Sequence, residues 1–407
     1  MSGASTKPLK GVRVVDLSRI VAGPYCTQQM ADLGAQVVKV EPPGGDDTRR
    51  FGPPFLGDDA TYYFSINRGK RSIALNLKEA AGREIIYDLV KNADVVVENF
   101  RPGVAKRLGI DAPTLQALKP DLIYVSISGY GAVGEEPYTG LPGYDLIIQG
   151  AGGIPSLTGP VDGAPYKIAG SWADIIASLN AFGGVMAALF HREKTGEGSV
   201  LDISMYDGQL ASLMYHATAW LNTRKAPQRH GNAHASICPY ETFEVADGYM
   251  NIACGNDSQF AKLSEALGMS HLAADPRFRE NAMRVANREA LLAQLIPVLQ
   301  LETVVHWQGA LGEAGVPCGP VASVPEALAH PQVKARGMIV ETQHPVYGSI
   351  KTVNNATGFG GAEDVAAPPL FSEHCRDILN EILNYDTHKI DALIRDGVVI
   401  EGSNGES

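Results

Sequence analysis

Short runs of β-branched and apolar residues alternate, through the first third of the chain, with stretches whose apolar positions recur at helical spacing. Val12 to Arg19 (VRVVDLSR) is such a run, bounded by Gly11 and by Ala22-Gly23-Pro24, and it predicts a buried strand. The segment YCTQQMADLGA that follows predicts a helix stopped by Gly34, and QVVKVE predicts a second strand. Strand, helix and strand within about thirty residues is what a parallel pair joined by a crossover helix requires. The pattern recurs: AAGREIIYDLVKNA reads as helix, DVVVENF as strand, APTLQALKP as helix and DLIYVSISGYG as strand. The fold class expected is α/β, with an open, mostly parallel, Rossmann-like sheet in a large domain.

Further along, Trp172 to Arg192 and Ser204 to Leu221 predict helices on either side of a strand, SVLDIS. The texture then turns polar and turn-rich (NTRKAPQRHGNAHASICPY), which reads as a linker. Short strands (ETFEV, YMNIAC) and amphipathic helices (SQFAKLSEALG, NREALLAQLIPVLQ) predict a smaller α+β domain. β-like pieces (GMIVETQHP, SIKTV) and a helical region from His374 to Arg395 close the chain. The expected organisation is a large domain over 1–222, a linker and small inserted domain over 223–328, and a segment over 329–407 that returns to the large domain.

Composition narrows the class. With 407 residues, 45% hydrophobic and 19% charged, the chain reads as a large-cored globular enzyme. A net charge of −11 argues against general nucleic-acid binding but leaves room for a local basic patch facing an anionic ligand. The five cysteines show no C-x-x-C spacing, which favours free thiols in a reducing compartment. Ile175 to Phe190 is apolar, but it is short and interrupted by Ser178, Asn180 and a glycine pair, so it reads as a buried helix rather than a membrane span. The N-terminus lacks the apolar core of a signal peptide. A soluble, cytoplasmic protein with no nucleic-acid or membrane partner is expected.

The turn after the first strand, LSRIVAGPY, lacks the glycines of a dinucleotide fingerprint, and no G-x-x-x-x-G-K-[ST] occurs. Nor is there an H-E-x-x-H, an EF-hand or a Cys/His cluster, so no metal site is indicated. What stands out is a set of basic residues at strand ends and turns: Arg19, Lys39, Arg49, Arg50, Lys70, Arg71, Arg101, Lys106 and Arg107. Ligands of open α/β sheets bind outside the carboxyl ends of the strands, where Arg19 and Arg101 fall. For each of these cations, contact with a phosphate-bearing ligand and plain surface solvation both remain open. Asp174 likewise has two readings, as the cap of the helix it opens or as a buried nucleophile.

An ordered set of longer motifs carries a resemblance over nearly the whole chain. LKGVRVVDLSRIVAGPYCTQQMADLGAQVVKVEPPGGDDTRRFGPPF, NRGKRSIALNLK, ADVVVENFRPG, PGYDLIIQGAGG, ADIIASLNAFGGVMAALFHREKTGEG and DPRFRENAMRVANREALL resemble the family III CoA-transferases. Through GDDTRRFGPPF, GNAHASICPY and AGVPCGPV the likeness is strongest to succinyl-CoA-dependent dicarboxylate transferases of the glutarate type.

The resemblance implies that Asp174 is the nucleophile, passing through an aspartyl anhydride and an aspartyl-CoA thioester; burial raises a carboxyl's pKa, and fixed N–H donors at a helix N-terminus are one means of keeping it ionised. It implies a coenzyme A thioester and a small carboxylic acid as substrates, with no tightly bound cofactor. It also implies an interlocked homodimer. Matched residue by residue, Arg19, Val21 and Ala22, with Leu75, Asn76, Lys78, Asn99, Phe100, Arg101 and Arg107, would hold the CoA. Arg50, Phe51, Tyr144 and His234 are candidates for the acid pocket.

Relatives with other activities set the alternatives. The 2-methylacyl-CoA racemases place a His in a G-H-D motif, where this chain has Tyr144, a poor base at neutral pH. Formyl-CoA:oxalate transferases carry Gln and Trp where Val21 and Phe51 stand, and a glycine run where this chain has CGNDSQF.

Overall fold

The computed structural model describes residues 7–359 and 365–402 and divides into two compact units. The first comprises 1–154, 168–221 and 332–407, and the second 155–167 and 222–331.

The first unit is built on a sheet of seven strands: β1 (Arg13–Asp16), β2 (Gln36–Glu41), β3 (Lys70–Leu75), β4 (Val95–Glu98), β5 (Ile123–Ser128), β6 (Ser199–Ser204) and β7 (Val399–Ile400). Their spatial order is β7-β3-β2-β1-β4-β5-β6. Neighbours are parallel throughout, except that β7 runs antiparallel to β3, with Val399 opposite Leu75. Chain order reverses on either side of β1, so the switch point of this doubly wound sheet lies between β1 and β4.

Both faces of the central strands are covered, which is why β1, β2, β4 and β5 read as largely apolar runs, whereas the edge strand β6 alternates. Val15, Val38, Ile73, Leu75 and Val96 pack on one side with Ile85, Ile86 and Leu89 of the helix Ala80–Lys91. Val14, Val37, Val95, Val97, Val125 and Ile127 pack on the other, against two helices. One is α1 (Ala22–Asp32), and the other is α2 (Trp172–Thr195), which presents Ala173, Ala177, Ala181, Val185 and Ala188.

Several elements differ from their sequence expectation. Helix α2 is 24 residues long, by length and composition enough to cross a membrane, and only one stripe of it is buried. Trp172, Leu179 and Phe190 are exposed, so the helix expected to be buried is buried along that stripe alone. The helix expected from Ser204 to Leu221 is two, Met205–Ser212 and Met214–Thr223, broken where Met214 adopts a φ of 43°. The closing helical region is likewise interrupted, with a π-helical turn over Ile378–Ile382 and a separate helix over Thr387–Arg395.

In the second unit, Tyr240–Val245, Gly248–Ala253 and Cys318–Pro320 form an antiparallel sheet with Gly248–Ala253 in the middle. Helices Asp257–Ala266, Arg288–Leu299 and Val304–Glu313 contribute Phe260, Leu263, Leu291, Leu295, Trp307 and Leu311 to its core.

Candidate active site

The carboxyl ends of β1 and β4 diverge at the switch point, and the loops leaving them are tied together there. The backbone N–H of Arg19 donates to Asn99 Oδ1 (2.9 Å), and Asn99 Nδ2 donates to the Arg19 carbonyl (2.7 Å). Ile20 follows with φ 67°, a left-handed conformation that a β-branched residue rarely adopts and that marks local strain. Between these loops, the end of β5 and the start of α2 lies a cavity of about 100 Å³ lined by Arg19, Ala22, Asn99, Arg101, Tyr144 and Asp174, among others. A second cavity of about 310 Å³ is lined by Leu75, Asn76, Lys78, Val104 and Leu108. Arg19 and Phe100 border both cavities.

Asp174 is 8% exposed, and burial, followed by repulsion from Asp145, pushes its carboxyl up to about 7. It was expected either to cap α2 or to be held ionised by helix N–H donors, and it does neither. Among the described residues no donor lies within hydrogen-bond distance of its carboxylate. The first-turn N–H of Ala173 instead donates to Asp145 Oδ1 (2.8 Å). Asp145 opens α3 (Asp145–Ala151), and its other oxygen accepts from Gln149 Nε2 at 2.8 Å. Gln149, fully buried, also accepts the Ile168 N–H (3.0 Å) and donates to the Gly170 carbonyl (3.3 Å). Ser171, the residue before α2, makes no capping bond, and its hydroxyl meets Tyr62 Oη at 3.0 Å.

The structure brings Arg19, Ala22, Asn99, Phe100, Arg101 and Tyr144 to the Asp174 cavity, and Leu75, Asn76 and Lys78 to its neighbour. Val21 is buried at the start of α1 and lines neither. Arg107 is exposed on Val104–Leu108, the helix whose Val104 and Leu108 wall the larger cavity. Arg50 is exposed and bonded to the Gly44 carbonyl and Asp47, while Phe51 lies edge-on to Tyr62 at 5.7 Å. His234 belongs to the second unit, where its Nδ1 accepts the Ser236 N–H and its ring meets Tyr240 at 5.3 Å.

Three cations thought to meet a phosphate or solvent do neither. Lys39, Arg49 and Lys70 are buried in ion pairs with Asp46, Glu41 and Asp16 at 2.8, 2.7 and 3.0 Å. Arg49 also reaches Asp59 and lies over the Tyr63 ring. The site residues missed from sequence are Tyr62, Asp145, Gln149 and Ser171. Only Asp145 had a signal, as the acid beside Tyr144 in PGYD.

Residues 9–374 match the family model described as CoA-transferase family III. The succinyl-CoA:glutarate CoA-transferase of Mus musculus is 39% identical over 398 residues, covering 97% of this chain and 91% of that protein. The acetyl-CoA:oxalate CoA-transferase of Acetobacter aceti is 42% identical over 359 residues, covering 88% and 90%. The crystal structure of a CAIB/BAIF family protein from Brucella suis superposes with a TM-score of 0.83 at 42% identity, covering 93% of this chain and all of that one.

Proposed function

The chain belongs to CoA-transferase family III, and from that premise we propose that it moves CoA from succinyl-CoA to a small free dicarboxylate, with Asp174 as nucleophile. The observation that carries the mechanistic part is a buried carboxylate with no hydrogen-bond donor among the described residues, facing a cavity at the switch point of an α/β sheet. A carboxylate in water is a weak nucleophile, because its lone pairs are committed to solvent. At Asp174 no protein donor among the described residues engages them, and the low accessibility limits the access of water to an acyl intermediate.

In the proposed sequence the Asp174 carboxylate attacks the thioester carbonyl, forming an aspartyl-succinyl anhydride and expelling CoA thiolate. The thiolate then attacks the aspartyl carbonyl, giving an aspartyl-CoA thioester and releasing succinate. The acceptor carboxylate attacks that thioester and expels CoA thiolate again. Attack of the thiolate on the acceptor's acyl carbon frees Asp174 and forms the new thioester. One thioester replaces another, so no nucleotide hydrolysis is required, in keeping with a sequence that has no P-loop. Leu75, Asn76, Lys78 and Phe100 are assigned to the nucleotide end of CoA, and Arg19, Ala22, Asn99 and Arg101 to the chain approaching Asp174. Tyr144 is assigned to the acid.

The glutarate-type relative favours glutarate as acceptor, and the Acetobacter aceti relative favours oxalate as a second reading. An interlocked homodimer is part of the proposal, supported by the exposed Leu179, Phe190, Met214, Tyr215, Trp220 and Leu221 on α2 and on Met214–Thr223. A cytoplasmic location is supported by five free cysteines. The test is to incubate the protein with succinyl-CoA and single free acids (oxalate, glutarate, malate, itaconate, mesaconate) and follow new thioesters by mass spectrometry. Glutaryl-CoA and succinate in equal amounts are expected. No exchange with any acid, or deuterium uptake at the α-carbon of a 2-methylacyl-CoA without an acceptor, overturns the reading.

A further inference from the structure

Resting on the nucleophilic role of Asp174, we propose that Asp145 is a positioning residue that caps the nucleophile's helix in place of the nucleophile itself. A helix N-terminus presents unpaired N–H groups, and an acidic side chain in the first turn normally turns back to take one. Asp174 is such a side chain, the third residue of α2, and left alone it would satisfy the helix and spend its lone pairs there. Asp145 accepts the Ala173 N–H from 28 positions away, so this first-turn donor is satisfied from outside the helix, while Ser171 is engaged with Tyr62 instead of the helix.

The clasp has a second arm. Gln149, one helical turn after Asp145 and fully buried, is held by Asp145 Oδ2 and itself grips the Ile168 N–H and the Gly170 carbonyl. Asp145 and Gln149 thus fasten both the loop entering α2 and its first turn to α3. The direction in which Asp174 projects is set by two side chains whose own geometry is fixed by each other. The same arrangement places a second negative charge beside the nucleophile. The other titratable groups facing Asp174 are Tyr62, and Arg19, Arg101 and Tyr144 around the cavity.

Two substitutions separate this role from a plain structural or substrate-binding one. Asp145→Ala removes cap and charge, and turnover is expected to fall about ten- to hundredfold with the KM for acyl-CoA little changed. Asp145→Asn keeps an oxygen for the Ala173 N–H, removes the charge, and puts an amide NH2 where Gln149 Nε2 now finds its acceptor. It is expected to recover part of that turnover and to move the acid limb of the turnover–pH profile to lower pH, since an ionised Asp174 is then less opposed. A wild-type acid limb near pH 7 that stays in place in Asp145→Asn, or a loss in Asp145→Ala confined to KM, overturns the proposal. Trapping wild-type acyl-enzyme with hydroxylamine distinguishes this failure from that of the parent reading. An adduct on Asp174 with unaltered Asp145 variants sinks only the positioning role, whereas no adduct sinks the nucleophile.

Discussion

Asp46 and Asp174 are both buried carboxylates of the first unit, and they have opposite surroundings. Asp46 accepts from Lys39 Nζ (2.8 Å), from the Thr48 N–H (2.9 Å) and from the Thr48 hydroxyl (2.8 Å), and these donors hold its carboxyl down to about 2 despite burial. Asp174 has no donor among the described residues and an acid for a neighbour, and its carboxyl rises to about 7. Asp16 and Glu41, also buried, side with Asp46: each is paired with a cation and each is held below the ordinary range. Burial alone therefore does not make a nucleophile. What distinguishes Asp174 is burial without compensation, a destabilising arrangement that persists because the surrounding fold over-determines it. The paired carboxylates serve the other end of the same design: they fix the strand ends from which the cavity loops depart.

Breaking the comparison at the proposed nucleophile has the largest expected effect. Asp174→Ala should lower CoA exchange by at least about a thousandfold, because the proposed acyl intermediate is carried on its carboxylate. Exchange that survives at near wild-type rate in a steady-state assay would remove Asp174 from the mechanism.

Breaking it at the paired member should act on stability. Arg49→Met leaves Glu41 and Asp59 without their shared guanidinium and is expected to cost about 3–5 kcal/mol in urea unfolding. An unchanged midpoint and slope would show that the network contributes no net stability.

The smallest effect has the most diagnostic sign. Asp174 has a raised folded pKa, so the folded state holds its proton more tightly than the unfolded chain. Its contribution to stability is present below about pH 4, the unfolded value, and is lost as pH rises to about 7. Asp46 has a lowered pKa and does the reverse, contributing above about pH 4 and losing that contribution as pH falls through about 2. Asp174→Asn should therefore be more stable than wild type by about 1–3 kcal/mol at pH 8, with the gap closing toward pH 4. Thermal or urea unfolding at the two pH values checks this, and equal pH dependence in both proteins would contradict it.

Much of this contrast could not be read from residue order. Strands β1, β2, β4 and β5 are legible because a sheet covered on both faces demands apolar runs, and β6 is legible as an alternating edge strand. β3 is obscured because it opens on Lys70 and Arg71, charges that deny it an apolar run, and β7 is only two residues long. Lys39, Arg49 and Lys70 look like surface cations because their partners are supplied by folding: Asp16 lies 54 positions from Lys70. Asp174 was legible only as one of two readings until the family motifs selected between them. The reason it does not act as a cap, Asp145, lies far enough away in sequence that no local rule connects the two.

The central claim is that Asp174 becomes acylated, and it is tested most directly by quenching the protein with hydroxylamine during turnover of succinyl-CoA and mapping the modified peptide by mass spectrometry. The account predicts a hydroxamate on Asp174 that requires the acyl-CoA and is missing from Asp174→Ala. Exchange proceeding with Asp174 unmodified, or with the adduct on another residue, would contradict it.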